Sequence, residues 1–327
     1  MKLVVQVPCL NEEETLPSVL SSIPTRIAGI DEIVVLVVDD GSTDRTSQVA
    51  LEHGAQVLRH TRTQGLARSF QDGVNRALAI GADILVNTDG DNQYPQERIG
   101  DLIGPILRQE ADIVVADRQV GAIQHFSPVK VLLQRLGSYV VNRAAGTNLP
   151  DAASGFRAYS RESLMRLNTV TRFSYCMETI VQAGHKNLEI ASIAVVTNAK
   201  TRESRLFRSM RQHVFRSAAA IVRSYVMYKP YLIFGWSAIA FAVLGLVPFV
   251  RYLLLIAGDA PGGGHLQSLL VGAVLLIMSF LSLMLGVLSD LTRTNRILLE
   301  NSLEHAKRTR FGEVLTPSPP RPAIRAV

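Results

Sequence analysis

The order of apolar and polar positions divides the chain into two parts. Over residues 1–200, short apolar runs alternate with amphipathic stretches, which predicts β-strands alternating with α-helices. Beyond residue 229, the two uncharged stretches Tyr231–Val250 and Leu266–Ser289 are each long enough to cross a bilayer. The predicted strands are Leu3–Val7, Glu32–Val38, Ala55–Arg59, Ile84–Val86, Asp112–Ala116 and Leu188–Val196. Repeated strand–helix–strand units predict a doubly wound α/β sheet, whose ligands bind beyond the carboxyl ends of the strands.

Two of the predicted strands end in paired acidic residues. Asp89 and Asp91 follow one strand, with Gly90 between them, and Asp39 and Asp40 follow another. Alternation along a strand would point Asp89 and Asp91 in the same direction, and two like charges that close are costly unless a cation separates them. Carboxylate oxygens suit Mg²⁺ or Mn²⁺. The alternative is that these acids only cap the following helices, but two acidic ends beside a membrane segment favour a metal and phosphate site.

The basic residues are concentrated beside the apolar stretches. Between Lys200 and Lys229 there are eight Lys or Arg and one acid, Glu203, whereas the loop Gly258–His265 has neither Lys nor Arg. The positive-inside rule therefore predicts an integral protein of the cell inner membrane, with the amino-terminal domain and both termini in the cytoplasm. Lipid bilayer is the expected partner of these charges, and nucleic acid is not, because no aromatic-studded RNA-binding pattern and no zinc spacing is present.

These patterns predict four segments: a cytoplasmic globular domain over 1–200, a basic juxtamembrane segment over 201–229, a membrane hairpin over 230–291, and a partly disordered cytoplasmic tail over 292–327. In the second segment, apolar residues from Phe207 to Tyr225 recur every three or four positions, which predicts an amphipathic helix at the membrane surface or packed on the domain. Gly235, Gly245 and Gly272 in the hairpin would permit a homo-oligomer.

Three ordered motifs carry a resemblance to a known family. They are Pro8-Cys9-Leu10-Asn11-Glu12-Glu13, Val38-Asp39-Asp40-Gly41-Ser42-Thr43-Asp44 and Asp89-Gly90-Asp91-Asn92-Gln93. Together they resemble the family 2 glycosyltransferases, and within them the dolichol-phosphate mannose synthase-like polyprenyl-phosphate glycosyltransferases with two carboxy-terminal membrane helices. The resemblance covers about residues 2–290. It implies a GT-A (Rossmann-like) catalytic domain over 1–200, followed by interfacial and transmembrane helices.

The resemblance also implies roles for individual residues. The nucleotide would be bound by one set, namely Pro8, Asn11, Glu13, Asp39, Asp40 and Asp89. Asp89, Asp91 and Gln93 would hold Mg²⁺ or Mn²⁺ on the donor diphosphate. Asp151 opens a segment that resembles the acceptor side of the family and is expected to have a supporting role. Arg68 stands near a position where the family commonly has Lys, and it is a second supporting candidate.

Arginine makes forked contacts with phosphate oxygens, so the expected lipid-phosphate ligands are Arg118, Arg135, Arg202 and Arg205, to which the resemblance adds Ser138. Arg118 comes first because it follows a predicted strand end, and with Asp89 and Asp91 it forms the predicted catalytic set. The predicted reaction moves a sugar from a nucleoside-diphosphate sugar to polyprenyl phosphate on the cytoplasmic face, with the inversion that the family implies. A phosphate acceptor is already a nucleophile near neutral pH, so no general base is assigned.

Two alternatives remain open at this stage. Transfer to a diacylglycerol or glycolipid hydroxyl would need a base such as Asp151. A catalytically silent membrane scaffold would not need the four aspartates Asp39, Asp40, Asp89 and Asp91. A processive polysaccharide synthase is less favoured because the Q-x-x-R-W signature is missing and the only Trp, Trp236, lies in an apolar span.

Overall fold

The computed structural model describes residues 1–119, 128–169, 175–198, 230–257 and 266–312. Within the ranges Met1–Leu206 and Glu300–Val327 it forms one compact unit, and within Phe207–Leu299 a second. The first unit is built on a seven-stranded sheet in the order β3-β2-β1-β4-β6-β5-β7. The strands are β1 (Lys2–Cys9), β2 (Glu32–Asp39), β3 (Gln56–Arg59), β4 (Ile84–Asn87), β5 (Ile113–Asp117), β6 (Arg157–Ser160) and β7 (Ile190–Ala194).

Helices cover both faces of this sheet, as the strand–helix pattern predicts. They are α1 (Leu16–Ser22), α2 (Thr46–Glu52), α3 (Leu66–Ala79), α4 (Ile99–Leu107, after a 3₁₀ turn at Gln96–Arg98), α5 (Pro128–Ala145), α6 (Arg161–Arg166) and α7 (Tyr175–His185). Because β1 and β4 are buried on both sides, they read as continuous apolar runs rather than as alternating ones. The core lies between these strands and the helices, with Leu3, Val5 and Val86 fully buried.

The sheet contains one strand that the sequence analysis missed. β6 lies between β4 and β5 and is antiparallel to both, whereas the pairs β1–β2, β1–β4, β2–β3 and β5–β7 are parallel. Its four residues, Arg157–Ser160, include a charged side chain at a position with no exposed surface. An apolar-run search passes over so short and polar a strand.

The first helix begins later than the local sequence suggests. Asn11 followed by three Glu residues is typical of a helix start, but α1 begins at Leu16. Asn11 instead adopts a left-handed backbone (φ 56°), a conformation that Asn tolerates better than most residues. Its amide N–H donates to Ser42 Oγ at 2.9 Å and its Oδ1 accepts from Thr43 N at 2.8 Å, so it ties the end of β1 to the loop after β2.

The second unit contains α8 (Pro230–Ala257) and most of α9 (Leu266–Phe311). Within the described part of the chain, two helices are long and apolar enough to cross a membrane, Tyr231–Ile256 and Gln267–Phe311. A Cβ added at Gly245 would lie 3.0 Å from Gly272 O, so these two glycines allow α8 and α9 of one chain to pack closely. A Cβ at Gly235 would meet nothing within 4 Å.

Helix α9 continues well past its apolar part. Residues 292–311 were expected in a partly disordered tail, but they extend the helix to 46 residues, about 69 Å at 1.5 Å per residue. Its last three turns belong to the first unit. The buried Lys307 amine donates to the carbonyl oxygens of Leu164 (3.0 Å) and Leu167 (2.6 Å) at the end of α6. The contacts that order residues 300–311 come from distant parts of the chain, so the local sequence did not indicate this extension of the helix.

Candidate active site

The carboxyl ends of four strands meet at one edge of the sheet. β1 and β2 are parallel with Cys9 opposite Asp39, and β1 pairs with β4 so that Gln6 lies opposite Asn87. The loops that follow these strands therefore lie side by side. β5 ends at Asp117 on the other side of β6. Ligands of such sheets bind at this edge.

The acids after β2 are buried and well supplied with hydrogen-bond donors. Asp39 has no exposed surface; its Oδ1 accepts from Ser42 N at 2.7 Å, and Ser47 Oγ donates to its Oδ2. The Asp40 carboxylate accepts hydrogen bonds from His60 Nδ1, Gln64 N and Gly65 N, each at 2.8 Å. Gly41, with φ 79°, makes the turn that follows these two acids, and a Cβ there would lie 2.8 Å from the Arg62 carbonyl carbon. These two carboxylates therefore hold the loop and the start of α3 in place.

The acids after β4 have a different environment. β4 ends at Asn87, so Asp89 and Asp91 lie in the turn after the strand. Strand alternation therefore does not set the directions of their side chains, and that prediction was wrong. No residue that the structure describes donates a hydrogen bond to the Asp89 carboxylate, which is partly exposed. Desolvation and the neighbouring charge of Asp91 raise the pKa of Asp89 to about 7, although Arg118 and Arg157 oppose the shift. Ionising both acids is therefore costly in the absence of a cation.

This pair fits a divalent cation by its chemistry. Its ligand atoms are hard carboxylate oxygens, and Asp91 Oδ1 is oriented by Gln93 N at 3.1 Å. Across the described residues, no group of three His, Cys, Asp or Glu side chains forms a complete metal shell. A cation bound here would complete its coordination with substrate oxygens and water, as Mg²⁺ commonly does.

A third carboxylate, which the sequence analysis missed, lies beside this turn. Glu12 is buried, and its charge adds to the upward shift in the pKa of Asp89. Thr15 Oγ1 joins the two segments, donating to Glu12 Oε2 at 3.0 Å and to Gly90 O at 2.7 Å. Glu13, selected from the sequence, instead accepts from Arg45 N at 3.0 Å, away from Gly90. Among three consecutive Glu residues, only the chain path after β1 distinguishes the one that faces Asp89.

The end of β1 also approaches the turn closely. A Cβ added at Gly90 would lie 2.9 Å from Cys9 Sγ and 3.6 Å from Pro8 O. Glycine at position 90 therefore lets the acidic turn lie against β1. Pro8 and Cys9 are both buried at this point.

The arginine after β5 is held by a carboxylate. Arg118 and Asp151 form a bidentate ion pair, with Nε 2.6 Å from Oδ2 and Nη2 3.0 Å from Oδ1. Asp151 is 1% exposed and Arg118 16% exposed at the side chain, so the carboxylate is covered while part of the guanidinium reaches solvent. Burial acts to lower the pKa of Arg118, but Tyr94 and the pair with Asp151 outweigh it and raise the pKa, so Arg118 stays a permanent cation. Ser138 is buried and its Oγ accepts from Ala152 N at 3.1 Å.

A second arginine, fully buried, fixes the segment between Asp151 and β6. Arg157 donates to the carbonyl oxygens of Ser154 (2.7 Å), Cys176 (2.7 Å) and Ala152 (2.8 Å). Gly155 is thereby held against the acidic turn, where an added Cβ would lie 3.1 Å from Asp89 Oδ2. The segment thus links the Arg118–Asp151 pair to Asp89. The sequence marked this segment by its resemblance to the acceptor side of the family, but the burial of Arg157 is visible only in the fold.

The other predicted residues are less central or fall outside the described chain. Arg68 is exposed and its Nε donates to Asp72 Oδ2 at 2.8 Å. Arg135 is exposed on α5. Arg202 and Arg205, and the predicted amphipathic helix around them, lie outside the described residues. The structure therefore brings together Pro8, Asp39, Asp40, Asp89, Asp91 and Arg118 at one edge.

Comparison with known protein families and solved structures identifies the family and the fold type of this chain. The model of the family described as glycosyl transferase family 2 matches residues 4–167, half of the chain, and the chain belongs to that family. Its fold is the GT-A type, a mixed α/β sheet with the acidic turns at the carboxyl edge. A solved structure of glucosyl-3-phosphoglycerate synthase from Mycobacterium tuberculosis with Mn²⁺, UDP-glucose and phosphoglyceric acid is 27% identical, with a TM-score of 0.51, covering 67% of this chain and 79% of that one.

Two similar proteins have lipid-phosphate acceptors in their names. The chain is 29% identical over 175 residues to the undecaprenyl-phosphate mannosyltransferase of Micrococcus luteus, covering 51% of this chain and 70% of the relative. It is 25% identical over 213 residues to the UDP-N-acetylglucosamine–dolichyl-phosphate N-acetylglucosaminyltransferase of Methanococcus voltae, covering 58% of this chain and 83% of that relative. The protein is thus a family 2 glycosyltransferase whose relatives include transferases acting on polyprenyl phosphates.

Proposed function

We propose that this chain is a membrane-bound, metal-dependent glycosyltransferase that moves a sugar from a nucleoside-diphosphate sugar to polyprenyl phosphate, with inversion at the anomeric carbon. The observation that carries the proposal is the arrangement of Asp89 and Asp91. They form a carboxylate pair with a raised pKa for Asp89, at the same sheet edge as the partly exposed Arg118. Such an edge suits two anionic substrates, and the two apolar helices suit a lipid one.

On the donor side, Asp89 and Asp91 would hold Mg²⁺ or Mn²⁺, with Gln93 beside them. The cation, when bound, supplies Lewis-acid stabilisation of the departing nucleoside diphosphate. Glu12 and Cys9 close this side of the turn against β1. The loop that carries Asp39 and Asp40 would form the nucleoside side of the pocket, next to the end of β1.

On the acceptor side, the outer part of the Arg118 guanidinium would bind the lipid phosphate. Asp151 accepts from Nε and from one N–H of Nη2, and among the described residues no acceptor is assigned to the remaining N–H groups, which would bind phosphate oxygens. The phosphate is its own nucleophile near neutral pH, because its second pKa is about 6. Asp151 is poorly placed as a general base, since both of its oxygens already accept hydrogen bonds from Arg118. This supports a phosphate acceptor over a lipid hydroxyl.

The proposal places the active site on the cytoplasmic face of the inner membrane. Its support is the positive-inside bias, because the long basic segment lies between the catalytic domain and α8. A cysteine introduced in the loop Gly258–His265 should react with a membrane-impermeant maleimide added to intact cells, and one at the exposed Glu52 should react only after lysis. The reverse labelling would contradict the orientation.

The test of the reaction is transfer of radiolabelled sugar from a panel of nucleotide sugars. Purified full-length protein would receive polyprenyl phosphate with Mg²⁺ or Mn²⁺, alongside Asp91→Ala and the control Asp101→Ala, which removes an exposed acid paired with Arg98. We expect one labelled, acid-labile lipid that is lost with chelator and in Asp91→Ala but retained in Asp101→Ala. Label in diacylglycerol or glycolipid alone would refute the phosphate acceptor, and no label with any donor would favour a scaffold.

A further inference from the structure

A buried histidine that the proposed reaction does not use lies directly behind the nucleoside side of the site. His60 follows β3 and is 7% exposed, and its backbone N–H donates to Asp39 O at 2.8 Å. Its Nδ1 lies 2.8 Å from Asp40 Oδ1. Because a carboxylate only accepts hydrogen bonds, Nδ1 carries the proton in this contact.

The opposite side of the ring faces a second carboxylate. His60 Nε2 lies 3.3 Å from Asp72 Oδ2, within ion-pair distance although not aligned as a hydrogen bond. Asp72, on α3, is held in turn by Arg68 Nε at 2.8 Å. The side chains of Arg68, Asp72, His60 and Asp40 therefore form a continuous chain of charged and polar contacts. It runs from an exposed arginine on α3 to the end of β2.

The two carboxylate oxygens of Asp40 accept different numbers of hydrogen bonds. Its Oδ1 accepts two hydrogen bonds, from His60 Nδ1 and Gln64 N, and so both lone pairs of that oxygen are occupied. Its Oδ2 accepts one, from Gly65 N. Among the described residues, Oδ2 is thus the oxygen with capacity for one more donor. A ring N–H of a nucleobase is a donor of the right kind for it.

We infer that His60 is a positioning residue of the donor site, which holds the Asp40 carboxylate so that Oδ2 is presented to the nucleobase of the sugar nucleotide. The inference rests on the proposed function in one respect, that Asp40 contacts the donor nucleoside. Without the imidazole, Oδ1 loses its side-chain partner, and the buried Asp40 carboxylate can rotate about its terminal torsion or shift toward Gln64 N. Either movement misplaces Oδ2 while leaving the metal side at Asp89 unchanged.

The test measures nucleotide affinity in the full-length protein. UDP and GDP, each with Mn²⁺, are titrated calorimetrically into wild type, and the tighter of the two serves as the probe for the variants. His60→Leu removes the donor, and His60→Asn retains an N–H near the Nδ1 position. His53→Leu is the control, because it alters an exposed imidazole whose hydrogen bond among the described residues is with Val49 O. We expect Kd to rise about tenfold in His60→Leu, to stay within about threefold in His60→Asn, and not to change in His53→Leu.

A kinetic measurement distinguishes positioning from a structural role. The donor KM should rise in His60→Leu, while kcat and the acceptor KM stay near the wild-type values. A lower Tm with unchanged Kd and donor KM would overturn the inference. If His60→Leu does not fold, the variant Asp72→Asn provides the test. A rise in Kd of about threefold would support the positioning role of His60, and an unchanged Kd would overturn it.

Failure of the proposed donor site and failure of the role of His60 would give different results. A wild-type protein that binds neither UDP nor GDP would contradict the donor site itself, and the role of His60 with it. A wild-type protein that binds nucleotide and transfers sugar, beside a His60→Leu variant of equal affinity, would contradict His60 alone.

Discussion

The ends of β2 and β4 carry the same kind of sequence and have opposite environments. Each is a buried strand followed by two aspartates with a glycine next to them. After β2, Asp39 and Asp40 receive donors from Ser42 N, Gln64 N and Gly65 N, among others. After β4, Asp89 receives none from the described residues and faces the charge of Asp91. Carboxylates that accept several hydrogen bonds stabilise a loop, whereas an acid with a raised pKa beside a second acid favours the approach of positive charge.

The difference follows from which segments lie opposite each turn. The β2 turn faces the start of α3, whose free backbone N–H groups point at Asp40. The β4 turn faces Glu12 on one side and Gly155 on the other, and Glu12 brings negative charge. An acidic residue after a strand is thus structural or functional according to its neighbours, and substitutions at the two ends should separate these roles.

The largest effect is expected at Asp89. Asp89→Asn keeps the shape of the side chain and removes the charge that would hold the cation. We expect the transfer rate to fall at least about 10³-fold, since metal-ion stabilisation is worth several kcal/mol in the transition state. The Tm should stay the same or rise, because the substitution removes a carboxylate whose ionised form is disfavoured by desolvation and by the charge of Asp91. Initial rates measure the loss of transfer, and thermal unfolding in detergent measures the Tm. A large fall in Tm would show that Asp89 stabilises its loop, as the acids at the end of β2 do.

The converse is expected at Asp39. Asp39→Ala leaves Ser42 N and Ser47 Oγ without their acceptor in a buried position. Losing charged hydrogen bonds there should lower the free energy of unfolding by about 2–3 kcal/mol. The exposed Asp101→Ala should change it by less than about 0.5 kcal/mol. Chemical denaturation of the full-length protein measures the difference, and a stable but inactive Asp39→Ala would end the contrast between the two strand ends.

A smaller effect on activity is expected at Gly155. An added Cβ would lie 3.1 Å from Asp89 Oδ2 and 3.2 Å from Tyr175 Oη, so Gly155→Ala forces one neighbour to move by a few tenths of an ångström. We expect roughly a tenfold loss of transfer, since small displacements of catalytic groups are costly. Gly100→Ala, whose Cβ would meet only Ile27 Cγ2 at 3.7 Å, is the matched control. Equal rates for the two variants would show that Asp89 tolerates displacement.

The smallest effect concerns a buried cation, Lys307, which extends the comparison to the opposite charge. Burial lowers the pKa of Lys307 from 10.5 to about 8. Between these pH values the unfolded chain binds more protons than the folded one, so the stability contributed at this position rises as pH increases from about 8 to 10.5. In Lys307→Met this rise should disappear, as measured by unfolding at several pH values. An unchanged pH dependence would mean that the amine is hydrated in solution.

Much of the site was predictable because its residues follow strands. The apolar runs located β1, β2, β4 and β5 within a residue or two, and a residue that ends a parallel strand lies at the active edge whatever the details of packing. For this reason Asp40, Asp89, Asp91 and Arg118 could be selected without a structure. Glu12 could not be distinguished from Glu13, because the chain leaves β1 in a left-handed turn at Asn11 and not in a helix.

The remaining features depend on contacts between distant segments. β6 was missed because its strand conformation comes from pairing on both sides with β4 and β5. The extension of α9 was missed because Lys307, Glu304 and Arg308 have partners in or just beyond α6 and α7, which are distant in sequence.

The sequence by itself determined the α/β class, the two apolar spans and the acidic edge, because periodicity, hydropathy and strand order are local properties of the chain. Only the tertiary structure decided which acids are satisfied. Asp40 accepts hydrogen bonds from backbone N–H groups at the start of α3, whereas Asp89 lies beside Glu12 and the loop that Arg157 holds in place. Hydrogen-bond satisfaction and desolvation depend on groups remote in sequence, and so they separate two turns that the sequence presents as alike.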